Sequence, residues 1–279
     1  MRGIDSHSIM RLKTAKSAYW SRLVAIAIGA LLLFTWPHPL AAGQNNPLPP
    51  SHIEPAAQAL LDKVIQALGG AAFLSFKTMN SNGRAFSISD GATQGFVLYQ
   101  SATEYPNKRR LSYGLSKKSK AITLINNGEQ GWEMDRYGLI EQSPKEIRDW
   151  RLANHYSLEN LLRLRVREPG TLVQTGGQDF VDNIPVLILD IFDSHQVELK
   201  VYLNQATSLP VQVTYRVLNS DTHEWDDYTD IYSDYQAVEG IQTAMHIVRY
   251  ANGNRLAETF RTKVRYNDPY PAGYFEPKS

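Results

Sequence analysis

The histidines beyond residue 42 are His52, His155, His195, His223 and His246. None forms the H-E-x-x-H spacing that sets two imidazoles and a glutamate on one helix face for zinc. The sequence holds no G-x-S-x-G turn to expose a serine nucleophile, and no glycine-rich loop to cradle a phosphate. Cysteine is absent altogether. That excludes disulfides, thiolate metal sites, a cysteine nucleophile and an acyl anchor on an N-terminal cysteine. The expectation is a protein that is not an enzyme, with no cofactor, metal or catalytic residue.

Two charged stretches have more specific chemistry. "DTHEWDDYTDIYSDY", Asp221 to Tyr235, gathers the carboxylates that hard cations require. On a strand, Glu224, Asp226, Asp230 and Asp234 share a face with Tyr228 and Tyr232. The spacing of a calcium-binding loop is missing, so the expected arrangement is a solvated acidic face with Trp225 and Ile231 turned inward. Lys108, Arg109, Arg110, Lys117, Lys118 and Lys120 form a basic run suited to an anionic surface, or to protecting a sheet edge from pairing.

Residues 1–42 read as a cleavable secretory signal. Arg11, Lys13, Lys16 and Arg22 form the positive flank, Leu23 to Trp36 the apolar run, and small residues end it at Ala42. The apolar run is 14 residues long, short of the roughly 17 to 25 that a spanning helix needs. The leader carries five of the 29 basic residues and one of the 28 acidic ones, leaving 24 against 27 and a formal charge of minus three. Such a balance argues against nucleic-acid binding, which depends on broad positive surface. The expected location is the periplasm, with a flexible linker over 43–55 and a single domain over 56–279.

The elements that must position these groups follow from periodicity. "AAQALLDKVIQALGG" places Ala57, Leu60, Leu61, Val64, Ile65 and Leu68 on one helical face and ends in Gly69 and Gly70. From about Phe76 to Gln142 the period is two, with a turn at Asn126 to Gly128. Ser143 before "PKEIRDW" is an N-cap with proline at the first helical position, and helical patterning runs to about Arg165 with a break near Asn154. Strands then return from Thr171 to Tyr266. "DNIPVLILDIF" is apolar on both parities, as a strand covered on both faces requires.

Three motifs fall in an informative order: "TEYPNKRRLSY", then "AITLINNGEQGWEMD", then "VYLNQATSLPVQVTY". Together with the preceding helix they resemble the LolA family of periplasmic lipoprotein carriers. The resemblance implies an α+β, mainly antiparallel fold, in which a curved, incompletely closed half-barrel sheet covered by a few helices encloses an apolar cavity. It implies acylated lipid or lipoprotein as ligand, with a docking protein at the inner or outer membrane. The alternative is an envelope sensor of the same fold that regulates a membrane protein. On alternation and resemblance, Leu98, Leu124, Trp132, Met134, Leu187, Leu189, Ile191, Val201, Leu203, Val211 and Val213 are the candidate ligand contacts. The pattern departs from the family where an arginine precedes the proline and helps to latch the lid. Here Tyr105 precedes Pro106, and neither Arg109 nor Arg110 inherits that role by position.

Overall fold

The computed structural model describes residues 47–89, 92–114 and 121–277. The leader expected over 1–42, the start of the linker, and Lys117, Lys118 and Lys120 of the basic run lie outside them. In chain order the elements are β1 (His52–Ile53), α1 (Pro55–Leu68), α2 (Ala71–Ser75), β2 (Thr78–Ser89), β3 (Ala92–Glu104), β4 (Lys108–Tyr113), β5 (Ile122–Asn127), β6 (Gln130–Asp135) and β7 (Gly138–Glu141). Next come α3 (Pro144–His155), α4 (Leu158–Arg163), a 3-10 turn (Arg165–Arg167), β8 (Leu172–Val181), β9 (Ile184–Phe192), β10 (Glu198–Asn204), β11 (Pro210–Leu218), β12 (Trp225–Val238), β13 (Ile241–Ala251) and β14 (Asn254–Tyr266).

All 14 strands belong to one sheet, in the order β1-β8-β9-β10-β11-β12-β13-β14-β2-β3-β4-β5-β6-β7. Every pairing is antiparallel except that of β1 with β8. The sheet does not close, since β1 and β7 are its two edges. Register shifts in β8, β13, β14 and β2 add the local bends that curl it. Gly83 serves the tightest of these contacts: a Cβ there would stand 1.9 Å from the Phe260 carbonyl oxygen of the next strand.

Helix α1 forms as its sequence predicts. Pro55 starts it, and Gly69 at φ 125° ends it while Gly70 donates to the Ile65 carbonyl. A side chain on Gly69 would strike the Gly240 carbonyl at 2.4 Å, so glycine is required by packing as well as by φ. All six residues of the expected apolar face are buried. They pack with Val173, Leu189, Ile191, Leu199, Val201, Leu203 and Val213 of β8 to β11. At about 1.5–3 kcal/mol for each fully buried aliphatic side chain, this cluster dominates the stability of the domain.

Helix α3 is of another kind. Ser143 and Glu146 form a reciprocal capping box, with the Ser143 amide donating to Glu146 Oε2 at 2.7 Å. Those hydrogen bonds hold the Glu146 carboxyl below its usual range. Yet Trp150 is the only residue of α3 that is fully buried.

The structure differs from the sequence reading in three places. Ordered chain begins before residue 56, because β1 pairs with β8 and Gly170 donates to the Pro49 carbonyl at 2.6 Å. Helix α2 and strand β7, both very short, carry too few residues for a period to show. In β12 the centre of the acidic stretch turns inward: Asp230 is 1 % exposed and Tyr232 is buried, while Glu224 and Asp234 are exposed and Trp225 is 59 % exposed rather than inward. The reason is Arg249, which sits opposite Asp230 on β13 and neutralises it.

Candidate functional site

The concave face of the sheet can be traced by register. Val201 pairs with Val213, Val213 with Asp230, and Asp230 with Arg249, so these residues form one row across β10, β11, β12 and β13. Over β8 to β11 that face is filled by α1. Over β12, β13, β14, β2, β3 and β4 it is spanned by α3 and α4, and a cavity of about 320 Å³ remains beneath them. This volume lies near the lower end of the roughly 300–1,000 Å³ common for small-molecule sites. A second cavity, of about 260 Å³, lies along the same helix and shares Ala153 and Arg249 with the first.

Alternate residues of each strand line the larger cavity: Met79, Ser81 and Ala85 from β2; Tyr99, Ser101 and Thr103 from β3; Arg109, Leu111 and Tyr113 from β4. Asp230 and Tyr232 come from β12, Ile247 and Arg249 from β13, and Ala257, Thr259 and Arg261 from β14. Trp150, Ala153, Leu158 and Glu159 close it from the helices. Helix α4 serves both halves, since Leu161 and Leu162 enter the packed core while Leu158 and Glu159 face the cavity.

Three guanidinium groups and two carboxylates set the electrostatics. Arg249 donates from Nε and Nη2 to the two oxygens of Asp230 at 2.6 and 2.5 Å, a bidentate pair. Burial works against the charge on Arg249, but Asp230 more than offsets it and the pKa is raised. Arg261 donates to the Ala244 carbonyl at 3.1 Å; burial opposes its charge, and Glu159 is the strongest group favouring it. Burial lowers the pKa of Arg109. The phenols of Tyr105, Tyr113 and Tyr232 are pushed up by burial and stay neutral donors. Among the described residues no group of three or more His, Asp or Glu side chains is arranged to hold a metal.

The lid is fastened at Pro106. Its carbonyl accepts from Asn154 Nδ2 at 2.7 Å and Asn160 Nδ2 at 2.9 Å, and Asn160 also donates to the Asn154 carbonyl at 2.8 Å. Asn160 is fully buried. Outer ties join Arg148 to Asp221 at 2.6 Å and Arg151 to Glu129 at 3.1 Å. Below the lid, Arg163 stacks on Phe76 at 3.9 Å and donates to its carbonyl. The helices are thus tied beside the proline by side-chain amides of Asn154 and Asn160, with no arginine before it.

None of the eleven residues expected to contact ligand lines the cavity. Leu189, Ile191, Val201, Leu203 and Val213 are completely buried in the cluster around α1, with Leu187 packed against it. Val211 is half-buried beside the register shift between β10 and β11. Leu98 neighbours Tyr99 on the opposite face of β3 and is 44 % exposed. Leu124 pairs with the cavity residue Leu111, whereas Trp132 and Met134 pair with Ile125 and Thr123 and therefore lie on the other face. Many of the cavity residues escaped notice because they are polar at inward positions. Alternation assigns Arg109, Tyr113, Thr259 and Arg261 to solvent. The one available signal was that Asp230 and Arg249 carry opposite charge on consecutive strands.

No protein family model and no curated protein matches the sequence. Solved structures do match its fold. A DUF1329 family protein from Desulfovibrio piger superposes with TM-score 0.53 at 10 % identity, over 79 % of this chain and 97 % of that one. A putative outer membrane lipoprotein-sorting protein domain from Vibrio parahaemolyticus gives TM-score 0.51 at 10 % identity over the same shares. A LolA superfamily protein from Nitrosomonas europaea gives 0.47 at 15 % identity, again over 79 % and 97 %. The chain has the LolA-like fold, an open half-barrel with helices on its concave side.

Proposed function

We propose that this protein is a non-enzymatic periplasmic carrier or binder of an acyl-bearing amphiphile, held between the concave sheet and the α3–α4 lid. The observation that supports it most is the contrast between covering helices. Helix α1 is fixed by six buried side chains, whereas α3 rests over a cavity on Trp150 with amide and ion-pair ties at its margins. Met79, Leu111, Trp150, Leu158 and Ile247 give an acyl chain apolar wall, at about 0.8 kcal/mol for each methylene removed from water. Parting of Asn154 from the Pro106 carbonyl would let α3 lift while Leu161 and Leu162 keep α4 in the core with α1. The fold shared with a lipoprotein-sorting domain is consistent with this reading, and the leader expected from the sequence of residues 1–42 supports the location.

Native mass spectrometry of the protein exported by a bacterium tests it. Adducts with the masses of acylated lipids, removed by extraction and restored by adding lipid, are expected. Protein that is free of lipid and takes up none would refute the proposal.

A further inference from the structure

Two polar groups in the cavity have no partner among the described residues. Tyr99 is 5 % exposed, and its hydroxyl makes no hydrogen bond. Arg109 Nε is buried without an acceptor among the described residues, and the side-chain hydrogen bond from its guanidinium to Asn126 Oδ1 is long at 3.4 Å. The other two cavity arginines are provided for: Asp230 neutralises Arg249, and Glu159 faces Arg261. Among the described residues, Arg109 is therefore the cation of this cavity with no carboxylate beside it. A buried charge and a buried hydroxyl left in this state are costly, and an incoming ligand that accepts hydrogen bonds from them would relieve that cost.

Arg109 and Tyr99 lie on adjacent strands and line one wall. Tyr113, which pairs with Tyr99 and lies on the same face of β4 as Arg109, feels both groups and provides a further neutral donor. Leu111 lies between Arg109 and Tyr113, so the polar wall passes directly into an apolar one. This is the arrangement expected for the end of an amphiphile where head meets chain. Resting on the carrier reading above, we infer that the bound amphiphile has an anionic oxyacid head, carboxylate or phosphate, that Arg109 receives inside the cavity, with Tyr99 a further donor along the same wall.

Titration calorimetry with three probes of equal acyl length, a fatty acid, an alkyl phosphate and the uncharged alcohol, tests this against the intact protein and its Arg109→Gln and Tyr99→Phe variants. The intact protein should prefer at least one anionic probe over the alcohol by about tenfold or more, as a charge-assisted hydrogen bond would give. Arg109→Gln should abolish that preference, bringing the anionic probes down to the affinity of the alcohol; Tyr99→Phe should reduce it. Which anionic probe binds more tightly identifies the head as carboxylate or phosphate. Equal binding of all three probes, or an equal loss for all three in Arg109→Gln, overturns the inference while the carrier reading survives. Binding of none overturns both. Arg109→Lys, which keeps the charge, should retain part of the preference, and its failure to do so in a folded protein would count against a charge-based head site.

Discussion

The two halves of the concave face share one backbone and differ in what lies over them. Strands β8 to β11 present Leu189, Ile191, Val201, Leu203 and Val213 to a helix with a continuous apolar face, and the space between them is full. Strands β12 to β14 and β2 to β4 present arginines, tyrosines and small residues to a helix with one buried side chain, and a cavity remains. A curved sheet makes room on its inner side; whether that room becomes core or site depends on the covering helix.

The largest expected effect separates the halves by stability. Leu189→Ala should lower the unfolding free energy by about 2–5 kcal/mol, because the filled half cannot collapse around the deletion. Trp150→Ala removes a larger side chain but should cost less than Leu189→Ala in the same denaturant titration, since Trp150 already borders empty volume. Equal or greater loss at Trp150 would mean that α3 is as integral to the core as α1.

A smaller effect is expected at the latch. Asn160→Ala removes two hydrogen bonds from a fully buried amide, at a cost of about 1–3 kcal/mol. Hydrogen exchange should quicken in α3 and α4 and remain unchanged in α1. Acceleration spread over the whole domain would contradict a locally opening lid.

The smallest is a pH effect at the end of α3. Burial first, and then Arg165, lowers the pKa of His155 below its ordinary value of 6.5. The unfolded chain therefore takes up this proton at higher pH than the folded one. Its contribution to stability is fully present above about pH 6.5 and is lost as pH falls through the window below. The melting temperature of the natural protein should drop further between about pH 7 and pH 5.5 than that of His155→Gln. Parallel curves would remove His155 from the account.

Legibility in the sequence follows the same division. Helix α1 could be read to the residue because its partner surface is apolar and its burial obeys a single period. The strands of the filled half were equally plain, although periodicity does not distinguish a packed interior from a hollow one. On the cavity side the rule that polar residues face solvent fails. Asp230 turns inward because Arg249 meets it across the strand pair, a contact between residues 19 apart that no local pattern reveals. The latch was hidden for a related reason: Asn154 and Asn160 bond to a carbonyl about fifty residues earlier, and a backbone acceptor leaves no mark in the sequence.

The central claim, that ligand enters the half covered by α3 and not the half filled by α1, can be read from tryptophan fluorescence. In protein beginning at Gly43 the tryptophans are Trp132, Trp150 and Trp225, and of these only Trp150 lines the cavity. A form carrying Trp132→Phe and Trp225→Phe should be strongly quenched by a fatty acid brominated along its chain, in a saturable manner. A form retaining only Trp225 should not. Unquenched Trp150 in protein that nevertheless binds the brominated acid would place the ligand elsewhere and contradict the account.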